Sequence, residues 1–237
     1  MVLDGFLAAR DLKAGKQARI SKSGGPSLCG GLHLLFNGMK RYRFPFDAKQ
    51  IPENGIYILF ENGERAHGGD RIVRVGTHTG EGQLRSRLWQ HFENENKDRS
   101  IFRKNIGRAL LNRDKDPFLA DWDIDLTTRE SKDKNSGKID SNKLQETERR
   151  VTKYLQENFS FAVFEVSEKS QRLHLESKII STVSACDMCK PSAGWLGRHS
   201  PKEKISESGM WLVNELYKEP FNEKEFDEFK GFIGPQR

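Results

Sequence analysis

The chain has 237 residues, of which 35% are hydrophobic and 31% are charged, and its formal net charge is +6. This length predicts one domain with extensions, or at most two domains, around a modest core. No apolar run approaches the ~20 residues of a membrane span, and the N-terminus lacks a secretion-signal pattern. We therefore expect a soluble, intracellular (cytoplasmic) protein with no membrane partner.

The positive charge is concentrated in the first half of the chain. Residues 1–113 contain 20 lysines and arginines against 11 acids, whereas residues 114–237 contain 20 against 23. A positive surface favours a polyanionic partner such as DNA or RNA, although a solvated charged surface is common. We expect residues 1–50 to form a basic extension. Its basic and aromatic residues around Tyr42 either contact nucleic acid or pack as an edge strand.

Two short segments after this extension predict a β-hairpin. Residues 55–60 read Gly-Ile-Tyr-Ile-Leu-Phe and residues 71–76 read Arg-Ile-Val-Arg-Val-Gly, with polar, glycine-containing residues between them. Both segments are rich in β-branched or aromatic residues, as paired strands are. The pattern places Tyr57 on the first strand of the pair.

The next segment predicts a helix that faces this tyrosine. Leu84, Leu88 and Phe92 recur every four residues, which gives one apolar helical face. Arg87 and His91 also stand four apart and share a second face. We expect the arginine and histidine to lie opposite the strand tyrosine.

The remainder of the chain predicts further helices around one more strand. In order, we expect a basic helix over 101–112, a polar and partly mobile insertion loop over 113–142, a helix over 143–158, a strand over 159–166 and a helix over 170–185. The extension over 191–237 contains Trp195 and Trp211, which we expect to dock onto the domain.

These residues resemble the GIY-YIG nuclease superfamily. The resemblance rests on Gly55-Ile56-Tyr57, on the second strand ending in Val75-Gly76, and on the Arg-x-x-x-His helix. Arg74 stands where the second tripeptide of the family has its tyrosine. The resemblance covers about residues 51–190, with the insertion at 113–142. It implies an α/β (α+β) fold in which helices flank a small mixed or antiparallel three-stranded sheet.

The resemblance also implies an activity. It predicts an endonuclease that hydrolyses phosphodiester bonds in DNA with Mg²⁺ (or Mn²⁺), of restriction, repair or mobile-element type. The missing second tyrosine favours an alternative, a catalytically degenerate nucleic-acid-binding protein of the same fold. A third hypothesis is an unrelated α/β interaction protein with a chance tripeptide.

Each predicted catalytic residue has a chemical role in such a reaction. Tyr57 is the candidate general base, and because a tyrosine phenol ionises only near pH ~10 in water, nearby cations must favour the phenolate. Arg87 suits a phosphate, since its planar fork binds two oxygens. His91 either holds Tyr57 or relays a proton.

Glu176 is the candidate metal ligand that the resemblance implies, early in the last core helix. Its rivals Glu146 and Glu148 lie in a polar first helical turn, where acids are expected for the helix dipole. A salt bridge to Arg172 is the alternative role for Glu176. Family members often carry an active-site asparagine after the glutamate, and Asn214 is only a weak match.

A further set of basic residues lies on or beside the predicted hairpin and helices. The predicted DNA contacts are Arg71, Arg74, Arg85, Arg103, Lys104 and Arg108.

Cys186 and Cys189 have the spacing of half a zinc site. His174 and His199 are possible completions, but nothing in their spacing requires it, and reduced intracellular thiols explain the pair more simply.

Overall fold

A computed structural model describes residues 27–135 and 137–234, so most of the predicted basic extension lies outside the described residues. Four strands form one antiparallel sheet in the order β1-β4-β2-β3. They are β1 (Tyr42–Arg43), β2 (Gly55–Ala66), β3 (Gly69–Gly76) and β4 (Phe159–Glu165). The predicted α+β class is confirmed. The sheet has one strand more than the three predicted, namely the short segment β1, whose Tyr42 ring stacks on Phe161.

Helices cover both faces of this sheet. The described chain contains α1 (Leu28–Asn37), α2 (Leu84–Phe92), α3 (Ile101–Arg113), α4 (Leu119–Asp123), α5 (Arg129–Asn135), α6 (Ser141–Asn158), α7 (Lys169–Ser184), α8 (Glu203–Ser208) and α9 (Glu223–Ile233). Short 3₁₀ turns occur at Ala48–Gln50 and Leu196–His199. None of the described helices combines the length and apolarity that crossing a bilayer requires.

The hairpin is longer than its apolar segments indicate. β2 and β3 continue to a tight turn at His67 and Gly68, whose φ angles are 51° and 77°. Two consecutive positive φ angles are the backbone geometry that joins twisted antiparallel strands most directly. The polar residues between the predicted strands therefore belong to the strands themselves.

The alternation of β2 side chains divides the core into two layers. Ile56, Ile58 and Phe60 pack in the layer that includes residues of α1, α7 and α9. Tyr57 and Leu59 point to the opposite layer, which residues of α2, α3 and α6 fill. This period of two places the tyrosine hydroxyl on the helix-α2 side.

The segment predicted as an insertion loop contains two short helices, α4 and α5, so the loop prediction was wrong there. Trp122 of α4 is fully buried, and its Nε1–H donates to the carbonyl oxygen of Lys104 at 2.9 Å. A Cβ atom at Gly107 would lie 2.3 Å from the indole ring. Trp122 thus anchors the polar segment 113–142 to α3, although the composition of that segment favours a loop.

Residues outside the predicted 51–190 domain also contribute to the core. Helix α1 packs on β3 and α7. Trp195 and Trp211 are buried, and each donates its Nε1–H to Oε2 of Glu61 on β2 at 2.7 Å. These contacts tie the tail to the hairpin, while the domain boundaries themselves stay a prediction.

Candidate active site

Tyr57 lies on β2 directly opposite Gly76 of β3. Its side chain is fully buried, and a Cβ atom added at Gly76 would lie 2.2 Å from the tyrosine hydroxyl oxygen. A glycine is needed there because the hydroxyl occupies the space that any side chain would take. The last residue of the second tripeptide therefore makes room for the tyrosine of the first.

His91 on α2 binds this hydroxyl. Its Nε2 is 2.8 Å from Tyr57 Oη, and its Nδ1 is 2.7 Å from Ser100 Oγ. Burial, reinforced by the charges of three nearby arginines, lowers the pKa of His91 well below its usual value. The imidazole is therefore neutral, and one ring nitrogen donates while the other accepts.

The second ring nitrogen of His91 contacts Ser100, which caps α3. Ser100 Oγ accepts the backbone N–H of Arg103 at 3.2 Å. Its own proton is satisfied when it donates to His91 Nδ1, because buried hydroxyls are nearly always paired. In that tautomer the ring proton is on Nε2 and is donated to the oxygen of Tyr57, whereas in the other tautomer Tyr57 donates its own proton to Nε2.

Three of the four predicted catalytic residues line one cavity of about 470 Å³, namely Tyr57, Arg87 and Glu176. Arg74 is also in its wall, and His91 lies behind Tyr57. A larger cavity of about 790 Å³ lies elsewhere and contains none of these four predicted residues. The smaller cavity therefore brings the predicted chemistry together.

Glu176 extends from α7 into this cavity, and its Oε1 accepts the backbone N–H of Thr77 at 3.1 Å. Burial raises the pKa of Glu176 to about 7, while the positive charge of Arg74 opposes that shift. The alternative salt bridge is not made within the described chain, because Arg172 donates instead to the carbonyls of Val166 and Ser167.

The two cationic groups of the cavity are held differently. Arg87 is half-buried, and its Nη1 donates to Gln90 Oε1 and to the carbonyl of Arg99, each at 3.1 Å. Arg74 is 6% exposed and donates Nη1–H to the carbonyl of Trp211, but its buried Nε has no hydrogen-bond partner. An unpaired buried donor is costly, so a bound anion at this position would satisfy it.

Most of the predicted DNA contacts form internal ion pairs. The pairs are Arg71–Glu64 at 2.6 Å, Arg85–Glu53 at 3.5 Å, Arg103–Glu148 at 2.8 Å, Lys104–Asp98 at 3.3 Å and Arg108–Asp123 at 2.5 Å. All but Arg85 are at most 8% exposed. For the four buried side chains, these ion pairs explain the burial of a positive charge without a nucleic-acid partner. Contact of the predicted residues with DNA stays a prediction.

The cavity also contains residues for which the sequence offers little signal. Asn105 of α3 lines it, as do Asn214 and Glu215 from the segment that follows Trp211. Glu215 adopts a φ of 63°, and its negative charge contributes to the raised pKa of Glu176. No periodic pattern links this segment to the hairpin, so only its folding reveals the proximity.

The oxygen atoms in this wall fit a hard divalent cation. Glu176 and Asn214 line the cavity and contain a carboxylate and an amide, whereas Glu215, which also lines it, accepts a hydrogen bond from Lys218 Nζ at 2.7 Å. Mg²⁺ prefers one or two carboxylates together with water and phosphate oxygens. Cysteine and histidine are absent from the described lining residues, which does not match a soft-metal site.

Comparison with known proteins gives one match. A family model described as "GIY-YIG domain" matches residues 31–236. No curated protein and no solved structure matches the chain.

Proposed function

Because this chain belongs to the GIY-YIG domain family, whose members are nucleases, we propose that it is a Mg²⁺-dependent DNA endonuclease of restriction, repair or mobile-element type. GIY-YIG nucleases generally use divalent metal ions, and Mn²⁺ is the expected substitute for Mg²⁺. The observation that carries the proposal is the meeting of Tyr57, Arg87 and Glu176 in one cavity.

In the proposed reaction, the oxygen of Tyr57 takes a proton from the attacking water. His91 donates Nε2–H to that oxygen and so favours the phenolate, which a hydrogen bond to the charged form stabilises. The water oxygen forms a bond to phosphorus as the bond between phosphorus and the leaving oxygen breaks, and the leaving oxygen takes a proton from solvent water. A bound Mg²⁺ would act as a Lewis acid on the phosphate.

Two arginines stabilise the charge that develops on the phosphate. Arg87 presents a fork that suits two phosphate oxygens. Arg74 replaces the second tyrosine of the family pattern and lines the same cavity, and its buried Nε–H has no partner within the described chain. Fixed cations aimed at developing charge are worth several kcal/mol in a site that excludes water. Arg74 thus adds positive charge where the pattern has a neutral phenol.

The test is cleavage of supercoiled plasmid with Mg²⁺, with Mn²⁺ and with chelator. The wild-type protein is expected to cut only with metal. Glu176→Gln keeps the shape of the ligand and removes its charge, so it is expected to lose cleavage while retaining DNA in a gel shift. Glu168→Gln, at the exposed start of the same helix, is the matched control and should cut normally.

Two results count against the proposal. Cleavage by Glu176→Gln at the wild-type rate removes the glutamate from the metal site. A wild-type protein that shifts DNA but never cuts it supports the second candidate, a nucleic-acid-binding protein without catalysis. The observation behind that candidate is Arg74 in the position of the missing tyrosine.

A further inference from the structure

A cluster of cysteine and histidine side chains lies apart from the cavity that Tyr57, Arg87 and Glu176 line. One donor atom from each of Cys29, His33, His67 and Cys189 lies within 4.8 Å of every other in this group. Cys186 joins it through a contact of 3.4 Å between its Sγ and His67 Nε2. None of these five residues lines the 470 Å³ cavity.

The spacing of these atoms is slightly tighter than that of the corners of a tetrahedral zinc site. Zinc binds sulfur at about 2.3 Å and imidazole nitrogen at about 2.0–2.1 Å, so neighbouring ligand atoms lie roughly 3.4–3.8 Å apart. The sulfurs of Cys29 and Cys189 are 3.3 Å apart, and the Cys186–His67 contact is 3.4 Å. Both contacts leave space for an ion after small side-chain movements.

The Cys-x-x-Cys segment has the backbone of a metal-binding turn. The N–H of Cys189 donates to the carbonyl of Cys186 at 3.3 Å, and the N–H of Met188 donates to Cys186 Sγ. Backbone N–H groups aimed at a sulfur stabilise the thiolate form that a metal requires. The turn presents both sulfurs to Cys29.

The two imidazoles differ in their available nitrogens. His33 Nδ1 donates to the carbonyl of Cys29 at 2.9 Å, and its Nε2 accepts the N–H of Ile72 at 3.2 Å. Both of its nitrogens are therefore used by the backbone. His67 has its Nε2 directed at Cys186, in the tight turn between β2 and β3.

We propose that Cys29, Cys186, Cys189 and His67 bind one structural Zn²⁺, with His33 holding α1 against β3 beside it. Four protein ligands fill the coordination of zinc, so no position remains for a catalytic water. Cys29 and Cys189 are each 4% exposed, which suits a closed site. The ion joins α1, the hairpin turn and the segment after α7. Two of its ligands, Cys29 and Cys189, are 160 residues apart in the sequence.

The test measures metal in the full-length protein purified with Zn²⁺ and then dialysed. One zinc per chain is expected by elemental analysis, and zinc X-ray absorption should show three sulfur ligands and one nitrogen ligand. Addition of a strong chelator is expected to lower the melting temperature. A protein without bound zinc, or one with a Cys29–Cys189 disulfide instead, overturns the proposal.

Variants identify the ligands. Cys186→Ser and His67→Gln should each lose the retained zinc, whereas His174→Gln, an exposed histidine on α7, is the matched control and should keep it. His33→Gln should also keep the metal and melt at a lower temperature. Absorption data showing two sulfur and two nitrogen ligands, or normal zinc in His67→Gln, refute the assignment even where other variants fail to fold.

Discussion

Glu148→Gln tests whether the buried glutamate of α6 is structural, as its contacts indicate. Glu148 is 4% exposed and pairs through Oε2 with the fully buried Arg103 at 2.8 Å. Its Oε1 accepts the backbone N–H of Lys97. Removing its charge leaves a buried guanidinium without a counter-ion, which typically costs about 3–5 kcal/mol.

The lower end of that range applies here, for two reasons. Burial raises the pKa of Glu148 more than Arg103 lowers it, so desolvation already offsets much of the attraction. The amide oxygen of the variant can also still accept a hydrogen bond from Arg103. A loss of about 3 kcal/mol in a chain of this size lowers the melting temperature by roughly 6–12 °C.

Urea and thermal unfolding measure this loss. The matched control is Glu146→Gln, two residues away on the exposed side of the same helix, where the contact to Lys143 spans 3.7 Å. Exposed pairs contribute little, so this variant should change stability by less than about 0.5 kcal/mol. Equal stability of the two glutamine variants would refute the reasoning.

Three further outcomes are expected. Tyr57→Phe should fold and bind DNA but cut plasmid at least about 10²-fold more slowly; wild-type cleavage removes the general-base role. Arg87→Ala should slow cleavage by about 10²-fold or more, measured in single turnover with saturating protein; an unchanged rate excludes transition-state stabilisation by Arg87. In metal-free protein, burial raises the pKa of Glu176 from 4.5 to about 7. The folded state therefore holds this proton more tightly than the unfolded state, so the free energy of unfolding should fall by about 3 kcal/mol as pH rises from 4.5 past 7. Urea unfolding of Glu176→Gln in chelator should lack this fall, and a matching fall in both proteins contradicts the raised pKa.

The sheet and helix α2 can be predicted from the sequence because their signals are local. Alternation along β2 places Tyr57 on one face, and the four-residue spacing on α2 places Arg87 and His91 on another. Glu176 follows from its place in the family pattern. Each of these inferences depends on residues within one element or on a fixed element order.

Other parts of the sites depend on contacts between distant segments, which periodicity does not encode. His67 contacts Cys186 from the hairpin turn between β2 and β3. His174 and His199 are nearer to Cys186 in the sequence, but neither belongs to the cysteine and histidine cluster. Arg71 and Arg103 look like surface cations in the sequence, yet each is buried against a single carboxylate. Their partners become apparent only when the chain is folded.

The hydrogen bonds from the C-terminal segment to Glu61 of β2 affect the order in which the protein can fold during synthesis. Glu61 receives hydrogen bonds from Trp195 and Trp211, which are translated 134 and 150 residues later. Until they emerge, this carboxylate must remain hydrated, and the cavity lacks the wall formed by Asn214 and Glu215. A nascent chain therefore carries Tyr57 and Arg87 long before the segment that completes the wall of their cavity has been made.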